Sequence, residues 1–327
     1  MRFARTIALA MTLTGAALLG CSLEASAQTS APKKVTFRLD WKPGAQHAVF
    51  YYARERGYYS AEGIDLQIVS GSGSSDSVKQ LGSRAVDLAL VDALVMVQGL
   101  EQRVPVKSVA AYYQRTPIVL MSPQAKPITD VKQLLGDVKL GSKKGSATFQ
   151  GLIALLGANN IKLESVKLID IGFGVQPLLV KQVDAMMGFT MNEPVEAESA
   201  GMPIHELMIA DAGVNTYGLV IASNDTFIRS QPELVTGFLR ASRKAAGEVL
   251  GARQATVQSV VNAVSEIDAA RELKVLDRTI PFLTGKNAAF GTQTEQGWKV
   301  TIQTAQTLGL VEKAPATRDI FDASLLK

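Results

Sequence analysis

The chain has few of the residues on which metal and thiol chemistry depend. Its 327 residues include one cysteine, Cys21, and two histidines, His47 and His205. Zinc and iron sites need clusters of cysteine, histidine and carboxylate side chains, so the sequence predicts no metal site and no disulfide. His205 lies in the strand-like run MPIHELMI, where a lone histidine is most simply structural.

The usual catalytic and cofactor motifs are also missing. There is no Gly-x-Ser-x-Gly nucleophile elbow and no Gly-Lys-Ser/Thr phosphate loop. The segment GSGSSD (71–76) resembles part of a dinucleotide fingerprint, but its last position is Asp76, which would repel a pyrophosphate. We therefore predict no catalytic residues and no cofactor, and a binding protein is favoured over an enzyme.

No long run of one charge sign occurs. The formal net charge is +4, and charges of both signs alternate along predicted helices, as in ARERGYYSAEG (53–63). This pattern is typical of a solvated surface and argues against nucleic-acid binding.

The N-terminal segment has the features of a secretory signal peptide. Arg2 and Arg5 precede a short apolar run (7–20), and Ala25-Ser26-Ala27 forms a small-residue cleavage site. We predict that residues 1–27 are removed and that the mature protein is periplasmic. In the alternative, the segment LLGC resembles a lipoprotein box and Cys21 becomes lipidated.

What remains alternates strands and helices. The strands are predicted at 35–40, 64–69, 86–92, 107–113, 117–122, 138–142, 166–172, 183–189 and 216–223. The helices are predicted at 46–59, 76–85, 93–103, 128–136, 147–159, 177–182, 192–201, 231–251, 254–264 and 295–310. This rhythm predicts an α/β fold with open, mostly parallel sheets.

A weak internal repeat predicts two similar lobes. Val86-Asp87 and Val183-Asp184 lie 97 residues apart, and each pair precedes an apolar strand. The alternative is chance recurrence. Two open α/β sheets that face each other form a cleft, and ligands bind there at the carboxyl ends of strands and at helix N-termini.

Several side chains fall in the predicted cleft loops, each with a structural alternative. Trp41 either caps the core or stacks on a planar ligand. His47 lies in a first helical turn, where the helix dipole favours a neutral imidazole. Asn192 is either an N-cap or a ligand contact, and Glu193 is either a first-turn acid or an acceptor for an amino group. Alternation along the strand that ends at Tyr112-Tyr113 favours Tyr113 for the cleft.

The segment LDWKPGAQHAVFYYARERGYYSAEGIDLQIV (39–69) resembles the N-terminal signature of periplasmic solute-binding proteins of ABC importers. It is similar to the branch that includes thiamine-pyrimidine-precursor-binding proteins and the yeast pyrimidine synthase. The stretches IGFGVQPLLVKQVDAMMGF, MNEPV and NTYGLVIAS extend the resemblance over nearly all of 34–250. Relatives that bind nitrate or sulfonates share these later stretches.

The resemblance implies a type II periplasmic-binding-protein fold with a ligand cleft between two lobes. Lobe I would comprise 33–116 and 218–327, and lobe II 117–217, with hinges near 113–117 and 214–218. Trp41 would stack on a planar ring, Asn192 and Glu193 would bond its polar edge, and Tyr217 would lie near the crossover. The candidate ligand-binding residues are Asp40, Trp41, His47, Ser72, Asp92, Tyr113, Ser146, Phe189, Asn192, Glu193 and Tyr217.

The predicted function is delivery of a small planar heterocycle, similar to a thiamine pyrimidine precursor, to an ABC permease and ATPase. We expect a monomer. Gly44 stands where the family signature has Asn, and Val91-Asp92 replaces expected aromatics, which weakens the pyrimidine assignment. In one alternative, the ligand is nitrate, a sulfonate or another organic anion, held near Ser72, Ser75 and Ser146 with Lys143 and Lys144. A pyrimidine-processing enzyme is disfavoured, because the synthase resembles an iron protein with a cysteine-rich motif that this chain lacks.

Overall fold

The computed structural model describes residues 31–172, 174–284 and 289–326. The predicted signal peptide and Cys21 lie outside the described residues. Within the described part, no helix is long and apolar enough to cross a bilayer.

Within the described residues, ten strands form two five-stranded sheets. They are β1 (Lys33–Arg38), β2 (Ile64–Val69), β3 (Leu88–Asp92), β4 (Val106–Ala111), β5 (Ile118–Pro123), β6 (Lys139–Ser142), β7 (Lys167–Asp170), β8 (Ala185–Phe189), β9 (Ile204–Met208) and β10 (Leu219–Asn224). The first sheet has the order β2-β1-β3-β10-β4 and the second the order β7-β6-β8-β5-β9. The two sheets therefore share one topology.

Helices cover the sheets and connect their strands. They are α1 (Ala48–Glu55), α2 (Tyr58–Ala61), α3 (Ser74–Gly82), α4 (Ala93–Glu101), α5 (Ala147–Ala158), α6 (Gln176–Leu179), α7 (Glu193–Ser199), α8 (Asp225–Ser230), α9 (Pro232–Val249), α10 (Arg253–Ala263), α11 (Ala269–Leu283), α12 (Glu295–Thr307) and α13 (Thr317–Ile320). Three short 3-10 turns lie at Ala45–His47, Val131–Leu135 and Leu163–Ser165.

The sheets are mixed, with a larger antiparallel share than the predicted mostly parallel arrangement. Strand β1 pairs in parallel with β2 and β3, whereas β10 is antiparallel to β3 and β4. The second sheet repeats this with β6 and β5. Strand β5 carries the chain into the second sheet and β10 carries it back into the first. Each of these two strands is therefore antiparallel to its neighbours in the sheet.

The Val-Asp repeat has a structural basis. The Asp87 carboxylate accepts a hydrogen bond from the Thr36 backbone N–H at 2.8 Å, and Asp184 accepts one from the Lys139 N–H at 2.9 Å. Thr36 lies on β1 and Lys139 on β6, which occupy equivalent places in the two sheets. Both aspartates therefore join the same two strands of their sheet, and chance recurrence does not explain the repeat.

Apolar side chains fill both faces of the first sheet. Strand β3 alternates, with Leu88 and Leu90 in one cluster and Ala89 and Val91 in another. The first cluster is rich in aromatic rings, and the centroids of Phe37 and Phe50 are 4.5 Å apart. The second cluster continues onto the second sheet, whose other face has a smaller core.

Some predicted elements differ from the structure. The helix predicted at 46–59 was expected to end near Gly57, and α1 does end at Glu55, but it begins as a 3-10 turn, and Gly57, whose φ of 72° is left-handed and favours glycine, separates it from α2. Residues 128–136 form only a 3-10 turn. Helix α11 was not predicted, although Asp268 caps it and its buried residues have helical spacing.

Each sheet takes its strands from different segments of the chain. The first sheet takes its strands from 33–111 and 219–224, and the second from 118–208. The predicted lobe boundaries and hinges remain a prediction.

Candidate functional site

A cavity of about 550 Å³, counting its open mouth, lies where strands of both sheets end. The first sheet and its connections supply Asp40, Trp41, Gly73 and Ser74; the second supplies Lys143, Ser146, Ala147, Thr148, Ile171, Gly172, Gly174, Met186, Met187, Phe189, Asn192 and Glu193. Met186, Met187 and Phe189 belong to β8 itself, and the other residues follow the carboxyl ends of β1, β2, β6, β7 and β8. This is the position at which open α/β sheets bind ligands.

Backbone hydrogen bonds fix the loop that carries Trp41. The Gly71 N–H donates to the Trp41 carbonyl, and the Gly73 N–H donates to the Asp40 carbonyl, both at 2.9 Å. A Cβ atom at Gly71 would lie 2.0 Å from the Leu39 carbonyl oxygen, so only glycine fits there. The two loops are thereby joined, and the half-buried Trp41 is held at the cavity wall.

Asp40 is held by a buried histidine. The fully buried His47 lies in the 3-10 turn, and its Nε2 is 2.9 Å from Asp40 Oδ1. A carboxylate only accepts hydrogen bonds, so the His47 Nε2–H is the donor. No described residue bonds to Nδ1. His47 therefore lies behind the wall and orients Asp40.

Glu193 begins α7 and reaches back to the end of β8. Its Oε2 accepts a hydrogen bond from the Phe189 N–H at 2.8 Å. Burial raises the pKa of Glu193 to about 7, against the lowering effect of the N–H groups of Phe189 and Glu193, and the charges of Glu196 and Asp40 raise it further. Gly188 leaves room for this turn, since a Cβ there would lie 2.9 Å from the Glu193 Cβ.

Asn192 occupies the N-cap position of α7, but its side chain makes no cap hydrogen bond. The N-cap interpretation of its side chain is therefore wrong. The φ and ψ of Asn192, −110° and −79°, depart from the extended conformation of a capping residue. Its amide group instead lines the cavity.

The cavity lining also includes a positive contribution. Lys143 and the N-terminus of α5 lie there. Ser146 caps α5 by accepting from the Phe149 N–H at 3.2 Å, and its hydroxyl donates to the Lys143 carbonyl at 2.7 Å. The Ser146 hydroxyl is therefore already engaged in the fold. The cavity lining therefore contains both acidic and basic groups.

A second, outer cavity of about 920 Å³, counting its open mouth, adjoins the first. It shares Trp41, Gly174, Asn192 and Glu193 with the inner cavity. Its other lining residues are Lys42, Pro43, Gly44, Gln46, Glu196, Arg271, Glu272 and Val275. Trp41 therefore borders two compartments, of which the outer is the more polar.

Gly44, where the resemblance leads one to expect Asn, lies close to two polar side chains. A Cβ atom at Gly44 would lie 2.4 Å from Gln46 Oε1 and 3.2 Å from Glu272 Oε2. Glu272 comes from α11 and accepts the Ala45 N–H at 2.5 Å. A side chain from α11 thus occupies the neighbourhood that an asparagine would enter.

Of the predicted site residues, Asp40, Trp41, Ser146, Phe189, Asn192 and Glu193 line the inner cavity. The remaining predicted residues do not. Ser72 is exposed and donates to Asp76 at 2.8 Å. Asp92 is buried, where it caps α4 through the N–H groups of Leu94 and Val95, and burial raises its pKa to about 7.

Two predicted tyrosines also lie in the core. The Tyr113 hydroxyl donates to the Gln46 carbonyl at 3.3 Å, and its ring centroid is 4.7 Å from that of Tyr112. Strand β4 ends at Ala111, so the alternation that placed Tyr113 in the cleft does not apply. Tyr217 packs on Trp298 with centroids 5.4 Å apart.

The prediction omitted several lining residues. Ser74, Thr148, Met186 and Met187 line the cavity, and Lys143 entered only through the anion alternative. The two methionines lie within the apolar strand β8, and their accessibility to the cavity depends on the facing sheet, which the sequence does not display. Among the described residues, no three histidine, cysteine or carboxylate side chains are grouped to hold a metal ion.

Curated relatives align over most of their length. The riboflavin-binding protein RibY of Chloroflexus aurantiacus is 26% identical over 315 residues, which cover 91% of this chain and 89% of that protein. A formylaminopyrimidine-binding protein of Halalkalibacterium halodurans is 25% identical over 313 residues, 94% of each chain. A 4-amino-5-hydroxymethyl-2-methylpyrimidine phosphate synthase of Legionella pneumophila is 25% identical over 265 residues, 79% of this chain and 82% of that one.

Solved structures share the fold at low identity. The ligand-binding component of an ABC-type import system from Staphylococcus aureus has a TM-score of 0.70 at 14% identity, covering 90% of this chain and 97% of that one. The alkanesulfonate-binding protein SsuA of Xanthomonas axonopodis has a TM-score of 0.69 at 12% identity, covering 90% of this chain and 100% of that one. These neighbours confirm the predicted two-lobe periplasmic-binding-protein fold.

The family predicted from the signature at 39–69 is confirmed as well. A family model described as NMT1/THI5 like matches residues 44–255, about two thirds of the chain. The chain belongs to the NMT1/THI5-like family.

Proposed function

We propose that this protein is a solute-binding protein that takes a small planar heterocycle for an ABC importer. One observation carries the proposal: an aromatic side chain, Trp41, and two carboxylates, Asp40 and Glu193, line the same cavity. A ring stacks on the indole while its N–H or amino groups donate to the carboxylates.

The cavity suits such a ligand chemically. Its remaining surface includes Met186, Met187 and Phe189, which provide polarizable and aromatic contacts for a ring. The His47 imidazole holds Asp40 in one orientation, so less side-chain freedom is lost on binding.

The relatives support this ligand class. Two of them are named for riboflavin and for formylaminopyrimidine, which are both heteroaromatic compounds. The importer role rests on the fold, which neighbours from ABC import systems share. We propose an extracytoplasmic location, a permease and an ATPase as partners, and a monomeric protein whose two lobes close on the ligand.

Isothermal titration with riboflavin, formylaminopyrimidine, 4-amino-5-hydroxymethyl-2-methylpyrimidine, methanesulfonate and nitrate tests the ligand class. We expect one of the heterocycles to bind, and to raise the free energy of unfolding by about 2.7 kcal/mol at a concentration of 100 Kd. Binding of the anions with no response to any ring compound would overturn the proposal.

An organic anion is the second candidate, because Lys143 and the N-terminus of α5 form one side of the cavity. Asp40 and Glu193 oppose it, since two carboxylates repel an anion. The same titration separates the two candidates.

An enzymatic role is the third candidate, because one relative is named as a pyrimidine phosphate synthase. We propose that the chain is not an enzyme. Incubation of the protein with the same heterocycles, followed by mass spectrometry, should return each compound unchanged. A new product that requires the protein would contradict this.

A further inference from the structure

Arg278 of α11 contacts three separate segments around the second sheet. Its Nη2 atom donates to both carboxylate oxygens of Glu198, at 2.9 and 3.0 Å. Its Nη1 atom donates to Glu206 Oε1 at 2.6 Å and to the Thr190 carbonyl at 3.0 Å. One guanidinium group therefore joins α7, β9 and the turn after β8.

The other side of α11 belongs to the body of the first sheet. The helix packs on α10 and on the 3-10 turn Ala45–His47, and Glu272 accepts the Ala45 N–H. The Phe282 carbonyl accepts the Gln114 N–H at 2.9 Å, just after β4. Arg278 is thus a link between elements of the two sheets.

The turn that Arg278 contacts leads into the cavity. Thr190 also donates its hydroxyl to Glu206, and its N–H donates to the Pro117 carbonyl at 3.0 Å. Asn192 and Glu193 follow two and three residues later and line the cavity. Any movement of this turn therefore moves two wall residues.

In this link, one cation pairs with two carboxylates. Arg278 is the cation that faces the carboxylates of both Glu198 and Glu206. The three side chains are 31%, 34% and 20% exposed, so the ion pairs are partly sheltered from solvent. Loss of the guanidinium would leave two acids close together without the cation that joins them, and they would repel each other.

We propose that Arg278 is a positioning residue that ties α11 to the turn 190–192 and so holds the two walls of the cavity together. This rests on the proposed function only in treating the cavity as the ligand site. Helix α11 lies outside residues 44–255, the part that the family model matches. The link is therefore built from a segment beyond the matched region.

A distance measurement without ligand tests the link directly. Spin labels are attached after Lys79→Cys on α3 and Lys162→Cys beyond α5, both exposed positions, in a Cys21→Ser background. Double electron–electron resonance should give a narrow distance distribution for the otherwise unchanged protein. The Arg278→Gln and Glu198→Gln variants should each give a shifted and broader distribution, and Arg278→Lys should fall between them and the parent.

The matched control is Arg253→Gln. This change removes the 3.2 Å ion pair between Arg253 and Asp277, which lies on α11 next to Arg278. It should leave the distribution unchanged. The double variant Arg278→Gln/Glu198→Gln should be no broader than Arg278→Gln alone, because both changes break the same link.

Ligand affinity provides the second readout. In unlabelled protein we expect Arg278→Gln to weaken the binding of riboflavin about tenfold, while Arg253→Gln retains it. If Arg278→Gln gives the same distances as Arg253→Gln, the proposal is overturned, whether or not riboflavin binds. If no heterocycle binds, the proposed function fails, and the distances still decide the role of Arg278.

Discussion

The imidazole of His47 and the carboxylate of Asp40 form a buried pair, with 2.9 Å between Nε2 and Oδ1. The histidine is completely buried, whereas the Asp40 side chain is 12% exposed and lines the cavity. An imidazole that donates to one carboxylate oxygen leaves the second oxygen available to a ligand donor. His47 therefore acts on a ligand through Asp40.

Replacement of His47 should weaken ligand binding without removing any ligand contact. In His47→Ala, Asp40 loses its oriented donor, and we expect riboflavin to bind at least about tenfold more weakly, since a hydrogen bond to a charged group contributes about 1.5 to 3 kcal/mol. Titration calorimetry measures the change. His205→Ala is the control, because His205 lies on β9, outside the cavity. Equal affinities in both variants would contradict the positioning role.

The two tryptophans allow the stacking role of Trp41 to be measured. Trp298 is completely buried and donates Nε1–H to Gln293 at 3.0 Å, away from the cavity. In Trp298→Phe, the remaining indole is Trp41, and its fluorescence should change on addition of riboflavin. Trp41→Ala should weaken binding by about 2 kcal/mol, or ~30-fold. If the fluorescence of the Trp298→Phe variant does not change when a ring compound is bound, the stacking role of Trp41 is refuted.

The raised pKa of Glu193 predicts pH-dependent affinity. Its pKa is about 7, raised by burial, so the carboxylate that accepts a ligand donor is about one tenth populated at pH 6 and about nine tenths at pH 8. Riboflavin should therefore bind nearly tenfold more tightly at pH 8. Glu193→Gln should bind more weakly and show a flatter pH profile. A profile identical to that of the parent protein would assign the titration to another group.

The same carboxyl group affects folding stability with the opposite sign. Its pKa in the folded protein, about 7, exceeds the usual 4.5, so the folded state holds the proton more tightly. The resulting stabilisation is complete below pH 4.5 and is lost as pH rises through 7. In urea unfolding of the ligand-free protein, the free energy of unfolding of Glu193→Gln should rise relative to that of the parent between pH 5 and 8. A constant difference across this range would be inconsistent with the shift.

Local patterns predicted most of the fold. The alternation of β3 and the helical spacing of α9 depend on burial against neighbouring residues, and both were found near the expected positions. The strand directions were harder to predict, because β5 and β10 pair with strands that are remote in sequence. A single chain does not reveal which segments lie side by side.

The prediction of a site residue was correct only where a position near a strand end also places the side chain in the cavity. Trp41 and Glu193 lie shortly after the ends of β1 and β8, and both line the cavity. Asp92 is the last residue of β3 and Tyr113 lies shortly after β4, but their side chains turn into the core. The contribution of α11 was missed, because Arg278 meets its partners only through tertiary packing.

The paired aspartates offer a test of the internal symmetry. Asp87 and Asp184 each accept a backbone N–H from the neighbouring strand, and each donates its own N–H to the same residue, Thr36 or Lys139. Because the two sites are equivalent, Asp87→Ala and Asp184→Ala should lower the free energy of unfolding by similar amounts, about 1 to 2 kcal/mol each.

Urea unfolding of both variants measures these amounts, and Asp137→Ala serves as the control. Asp137 is almost fully exposed and pairs with Lys167 at the surface, so its loss should cost well below 1 kcal/mol. Neither aspartate reaches the cavity wall, so the affinity for riboflavin should persist in both variants. A large decrease in the free energy of unfolding for one variant and none for the other would show that the two segments are similar in sequence but have no shared structural role.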